Sequence, residues 1–232
     1  QMCIRDRYGL AYSIGMLVQL FISGMNSALT PWMYSKIKKG DIRSMRKVLQ
    51  LLSVVVVGIA VALMLISPEL VLIFGSPKYR EAVYVIPPVA ASVFFIFIYN
   101  ILSMPQFYYE KTQFLMAASM AAAGANVVLN FIFIRLFGYI AAGYTTLACY
   151  MLYSVGHYIV SKRILVNEGI QENLMNPGFL LACSVFLIGA SIICNLIFPY
   201  RILRYAILLA SAGLVFWKKE LLLKTMADIR KK

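Results

Sequence analysis

Apolar residues in this chain come in blocks of about twenty, separated by short segments that carry most of the charge. A helix rises ~1.5 Å per residue, so crossing ~30 Å of hydrocarbon takes roughly 20 residues. The blocks at 8–33, 48–67, 83–103, 114–134, 139–161, 178–199 and 203–217 are read as membrane spans, the last of them short. A further apolar stretch, PELVLIFG at 68–75, lies between Pro68 and Gly75 and is far too short to cross. It is expected to form an interfacial helix. The predicted fold class is all-α, a polytopic membrane helix bundle of about seven transmembrane helices.

Polar positions inside the blocks are not scattered. In the first block Tyr12, Gln19, Ser23, Asn26 and Thr30 recur at helical spacing, with Gly15 on the same side and Leu, Val, Ile and Phe elsewhere. The fifth repeats the arrangement with Gly143, Thr146, Tyr150, Tyr153, Ser154, His157 and Ser161, and the fourth has Ser119, Asn126 and Asn130 beside the small-residue run AASMAAAGA at 117–125. Unsatisfied polar groups in hydrocarbon cost several kcal/mol each, so these faces must meet other helices or a wet cavity. Interhelical hydrogen-bond glue is one reading. A substrate pathway is the other, with Gln19, Ser23, Asn26, Thr30, Asn126, Asn130, Tyr150 and His157 as its candidate lining. His157, the single histidine, lies one turn from the basic SKR end of its block, where a hydrogen-bonded role competes with that of a proton carrier.

Composition and charge refine this picture. Hydrophobic residues make up 62% of the chain and charged residues 13%, with a mean hydropathy of +0.80, whereas soluble domains carry about 25% charged residues. Lys and Arg concentrate in alternate connections, most densely in SKIKKGDIRSMRK at 35–47. Placing that loop in the cytoplasm puts fifteen basic residues inside and seven outside, so the first span enters from the outer side and the C-terminus is cytoplasmic. The net charge of +13 is then mostly cytoplasmic loops against anionic lipid, with no need for nucleic acid. The expected organisation is a leader at 1–7, five helices over 8–161, a cytoplasmic loop at 162–177, two further helices over 178–217 and a basic tail at 218–232. An N-terminus delivered outside implies a preceding membrane segment, and QMCIRDR is read as a leader that need not be native.

Enzymatic chemistry finds little support. All nine acidic residues are expected in loops, the leader or the tail, leaving no acid and base pair and no intramembrane proton or sodium relay. Glu168 and Glu172, spaced i to i+4, are read as the solvated face of a short loop helix. Cys3, Cys149, Cys183 and Cys194 lack metal or redox spacing and are read as small apolar fillers. No GxxxxGK phosphate loop occurs. No cofactor or metal is expected. Pro87 with Pro88, and Pro31, are expected to kink the third and first spans.

The run SGMNSALTPWMYSKIKKGDIRSMRKVL resembles polysaccharide flippases of the multidrug/oligosaccharidyl-lipid/polysaccharide superfamily, where a polar helix ends near a proline and enters a basic GD loop. LISPELVLIFGSPKYREAVYVIPPVA, YYEKT and FGYIAAGYTTLACY are similar to later family elements in order and spacing, although Tyr144 stands where a small residue is usual. The resemblance covers about residues 8–165. It implies the second lobe of a two-lobe flippase fold, the missing N-terminal lobe of the same protein as partner, and a cavity facing the first-span stripe. It further implies a lipid-linked oligosaccharide as substrate, moved across the inner (cytoplasmic) membrane for surface polysaccharide. A multidrug or cation antiporter and a peptidoglycan-precursor flippase share the fold, and a membrane glycosyl- or acyltransferase is a reading from another class.

Overall fold

The computed structural model describes residues 2–75 and 77–217. The basic tail expected at 218–232 lies outside the described residues. Seven helices follow one another: α1 Met2–Lys38, α2 Ile42–Phe74, α3 Ile86–Tyr108, α4 Gln113–Phe137, α5 Ala141–Asn167, α6 Pro177–Ile197 and α7 Arg201–Trp217, with a 3-10 segment, Pro77–Val85, before α3. Each apolar block has become one helix, and no strand occurs among the described residues. Among the described residues, five helices are long and apolar enough to cross a membrane. The other two are α5, which carries the Thr, Tyr, Ser and His stripe, and α7, which has 17 residues.

The bundle is built around α3. Its sequence is mostly apolar, with Ser92, Asn100, Ser103 and Gln106 bonded to carbonyls of their own helix, and a helix of that kind belongs in an interior. Phe94, Phe97 and Ile86 are fully buried in it, and α1, α2, α5 and α6 pack around it. Two close approaches fix its N-terminal end. A Cβ on Gly15 of α1 would lie 2.5 Å from Val89 Cγ1, and one on Gly143 of α5 would lie 2.8 Å from Pro88 Cγ. The glycines of both stripes therefore serve backbone contact. In contrast, α4 has no buried residue and packs chiefly on α5.

The KKGD turn joins two helix-ending devices in adjacent residues. Gly40 (φ +67°) places its N–H 3.0 Å from Ile37 O, and the Asp41 N–H lies 3.0 Å from Lys36 O, the paired bonds that close a helix through a left-handed residue. Asp41 then caps α2, accepting from the Ser44 N–H at 3.3 Å. Lys36 Nζ donates to the same carboxylate and, with the Ser44 bond, holds it well below the usual range, at about 2.

Four expectations change. Residues 68–75 are not a separate interfacial helix, because α2 continues through Pro68. Proline removes the donor for the carbonyl four residues back, and here Ser67 Oγ donates to Met64 O at 2.7 Å. The neighbouring Leu65 O accepts from Arg204 Nη1 of α7 at 2.7 Å. Glu69 thus lies inside a candidate span and not in a loop, held by Arg204 at 2.8 and 2.9 Å and by the Tyr205 hydroxyl at 3.0 Å. Pro87 and Pro88 start α3 and do not kink it, since first-turn N–H groups have no intrahelical acceptor to lose; the prolines inside helices are Pro31, Pro68 and Pro105. Finally, Glu168 and Glu172 share no helix. Glu168 caps α5, and Glu172 lies in the following turn region, 3.4 Å from Arg46 Nη2, while Arg46 Nε donates to Asn173 O at 2.7 Å.

Candidate functional site

Where α1, α3, α4 and α5 meet, a cavity of about 510 Å³ opens, and five tyrosines line it: Tyr8 and Tyr12 from α1, Tyr99 from α3, Tyr150 and Tyr153 from α5. Helical spacing assembles them. Tyr8 and Tyr12 stand one turn apart with ring centroids 5.8 Å from each other and planes 28° apart. Tyr99 lies nearly parallel to Tyr150, 6.3 Å away at 5°, and meets Tyr153 at 4.7 Å and 62°. On the opposite wall α4 offers Ser119, Asn126 and Asn130, with Ala122 and Ala123 leaving space between them.

Hydrogen bonds set the polar groups. Ser119 Oγ and the Tyr153 hydroxyl are 2.8 Å apart, and Tyr8 and Thr146 share a longer contact of 3.4 Å. Asn130 donates from Nδ2 to Asn126 Oδ1 at 2.9 Å, while Thr145 Oγ1 donates to Asn130 Oδ1. Ser154 Oγ reaches Phe95 O at 2.9 Å, tying α5 to α3 behind the cavity. None of the lining side chains carries a charge. Such a surface offers aromatic faces, hydroxyls and amides, which suits an uncharged, hydroxyl-rich ligand with apolar C–H faces.

Of the residues singled out from the sequence, Asn126, Asn130 and Tyr150 meet in this lining. His157 stands beside it, buried against Gln106 and bordered by Tyr99 and Tyr153. Gln19, Ser23, Asn26 and Thr30 do not line the cavity. Ser23 is exposed, Thr30 Oγ1 donates to Asn26 O at 2.8 Å, and Gln19 Oε1 is buried without a partner. The stripe on α1 therefore joins the cavity only through Tyr12. Tyr8 and Tyr99 line it as well, outside the sequence-derived candidates. Tyr8 precedes Tyr12 by one turn, a signal present in the sequence, whereas Tyr99 sits in a block with no polar face. The unusual Tyr144 tethers α6, its hydroxyl accepting from Asn195 Nδ2 at 3.1 Å. Among the described residues no group of three His, Cys, Asp or Glu converges as a metal site would require, and Cys149, Cys183 and Cys194 are free thiols.

Neither a curated protein nor a solved structure matches the chain. The family model of MatE matches residues 7–132, from the start of α1 into α4 and more than half of the chain. With its all-helical membrane bundle, the chain belongs to the MatE family and hence to the multidrug/oligosaccharidyl-lipid/polysaccharide superfamily of membrane transporters.

Proposed function

We propose that this chain forms one helical lobe of a flippase that carries a lipid-linked oligosaccharide from the cytoplasmic to the outer leaflet of the inner membrane, for cell-surface polysaccharide. A second, N-terminal lobe completes the transporter, α1 enters from the outer side, and the basic loop at 35–47 lies against anionic lipid of the inner leaflet. The observation that supports this reading is the neutral cavity of tyrosine rings and asparagine amides. A sugar must lose water on its way past hydrocarbon, and amides and hydroxyls replace that water while aromatic faces cover its C–H surfaces. A cation antiporter working through this lobe would need a carboxylate in the cavity. Glu69, a carboxylate within a candidate span, is engaged by Arg204 and does not line that cavity.

Gln19, Ser23, Asn26 and Thr30 remain proposed pathway groups, as part of a route across α1 outside the tyrosine cavity. Two paired substitutions in the complete transporter separate these assignments. Tyr150→Ala with Asn126→Leu should abolish polysaccharide export if the cavity holds the sugar. Gln19→Leu with Asn26→Leu should abolish it if the α1 face is on the route. Normal export by the first pair, with the protein inserted at normal levels, overturns the sugar-cavity reading.

A further inference from the structure

The central helix α3 is sealed over its first turns and open over its last. Every residue from Ile86 to Ile98 is buried, whereas Tyr99, Asn100, Met104, Phe107 and Tyr108 are not. Asn100, Met104, Phe107 and Tyr108 follow the i, i+4, i+7, i+8 pattern of a single helix face, with Tyr99 at its edge. The polar stripe of α1 runs beside this face. Thr30 Oγ1 lies 3.7 Å from Met104 Sδ, and the Tyr34 and Tyr108 rings meet at 5.4 Å with planes 71° apart. Thr30 with Met104, Tyr34 with Tyr108 and the close approach of Gly15 to Val89 are each separated by the same 74 residues. The two helices therefore run parallel in one register, and that register sets Asn26 level with Asn100.

We infer that this paired strip is a second station for a neutral sugar ring, lying between the tyrosine cavity and the end of the bundle that carries the KKGD turn. The inference rests on reading that cavity as a sugar site. Three rungs form the station: Asn26 with Asn100, Thr30 with Met104, and Tyr34 with Tyr108. None of these side chains carries a charge, so the strip repeats the chemistry of the cavity. Tyr34 and Tyr108 are half-buried, and two aromatic planes at 71° make a corner. Such a corner covers the C–H face and one edge of a pyranose, while the amides of the next rungs replace water around its hydroxyls.

Tyr99 joins the two sites, since it lines the cavity and stands next to Asn100 at the edge of the strip. From Tyr99 to Tyr108 the helix rises roughly 13 Å at ~1.5 Å per residue. A single pyranose is shorter than that and occupies either the station or the cavity, whereas a chain of several sugars touches both at once. In the proposed orientation the station lies nearer the cytoplasm, so a ligand presented there meets Tyr34 and Tyr108 before it reaches the cavity. Successive neutral sites suit passage, because each holds the ligand well enough to admit it and weakly enough to release it.

The test uses the full chain in lipid nanodiscs with isotope-labelled methionine methyl groups and maltohexaose, a neutral linear sugar, as probe. Met104→Leu identifies the Met104 signal, and saturation transfer to the sugar reports binding anywhere on the chain. Maltohexaose should shift the Met104 signal in the wild type and also in Tyr150→Ala with Asn126→Leu, whose cavity is disabled. Tyr34→Ala should raise the midpoint of that shift roughly three- to tenfold, the range of one aromatic contact. Tyr34→Leu, which keeps the space filled if the alanine variant does not fold, should do the same, while Tyr34→Phe keeps the ring and should stay close to the wild type. A Met104 signal that does not move, or one whose midpoint is the same in the wild type and in Tyr34→Leu, overturns the station. If sugar binding is then still lost with the cavity pair, the cavity reading stands without it. A Met104 shift in a chain whose total sugar binding is untouched by the cavity pair overturns the cavity reading and leaves the station on the Met104 signal alone. No sugar binding at all overturns both.

Discussion

Arg204→Met removes the guanidinium that ties α7 to α2, and the cost can be worked from its contacts. Arg204 is 3% exposed and donates to Leu65 O and to both oxygens of Glu69. Breaking a buried ion pair by deleting one partner costs about 3–5 kcal/mol, because the remaining charge is stranded. Here the Glu69 side chain is 22% exposed and retains Tyr205, with Arg201 4.0 Å away, which softens the loss. The Leu65 carbonyl, one residue on from the acceptor that Pro68 leaves without its helical donor, loses a charged donor as well, which adds about 1 kcal/mol. A net destabilisation of roughly 2–4 kcal/mol follows, or a fall in Tm of very roughly 5–15 °C for a chain of this size. Thermal unfolding in detergent should show it. The pair Arg204→Met with Glu69→Gln should be less destabilised than the sum of the single variants, since no uncompensated charge remains. A single variant within about 2 °C of the wild type, or strict additivity in the double variant, would refute the reasoning.

Gly143→Ala should lower Tm, with a loss of about 1–3 kcal/mol, since its Cβ would meet Pro88 Cγ at 2.8 Å and Val85 O at 3.2 Å; an unchanged Tm would show that α5 and α3 separate freely. Glu110 occupies a left-handed conformation at φ 56° where its turn closes with Lys111 N–H to Gln106 O at 2.8 Å. Glu110→Gly relieves that strain and should raise stability by up to about 1 kcal/mol, read as a higher Tm. Asp41 contributes stability that is present above its unfolded value near 4 and is lost as pH falls toward about 2, because its folded value is the lower one. Asp41→Asn should therefore flatten the stability profile between those values and leave the slope at higher pH unchanged.

The helices were legible because hydrocarbon leaves the backbone so few options that a block of twenty apolar residues reads directly as a span. What escaped the sequence depended on partners far along the chain. Pro68 looked like a boundary, and only Arg204, more than a hundred residues later, together with Ser67, shows why it is not. The same pairing hid Glu69, whose charge is tolerable inside α2 only because a guanidinium arrives from α7. In the cavity, the stripes of α4 and α5 pointed to Asn126, Asn130 and Tyr150, since periodicity reports which face of a helix is polar. It does not report which polar faces meet. The α1 stripe accordingly supplied Tyr12 but not Gln19 or Asn26, and Tyr99 was invisible because one polar ring in an apolar block has no period.

The burial of α3 sets a limit on how far kinship by sequence describes a physical unit. The match to MatE stops at residue 132, within α4, yet the packing that covers α3 continues into α5 and α6. Cut at that point, the segment would expose Phe94, Phe95 and Ile98, which now form one wall of a groove with α5 and α6, and would leave Leu65 O without its donor from α7. The stretch that evolution makes recognisable is therefore smaller than the stretch that can fold. Any excised version of this bundle has to run at least through α7.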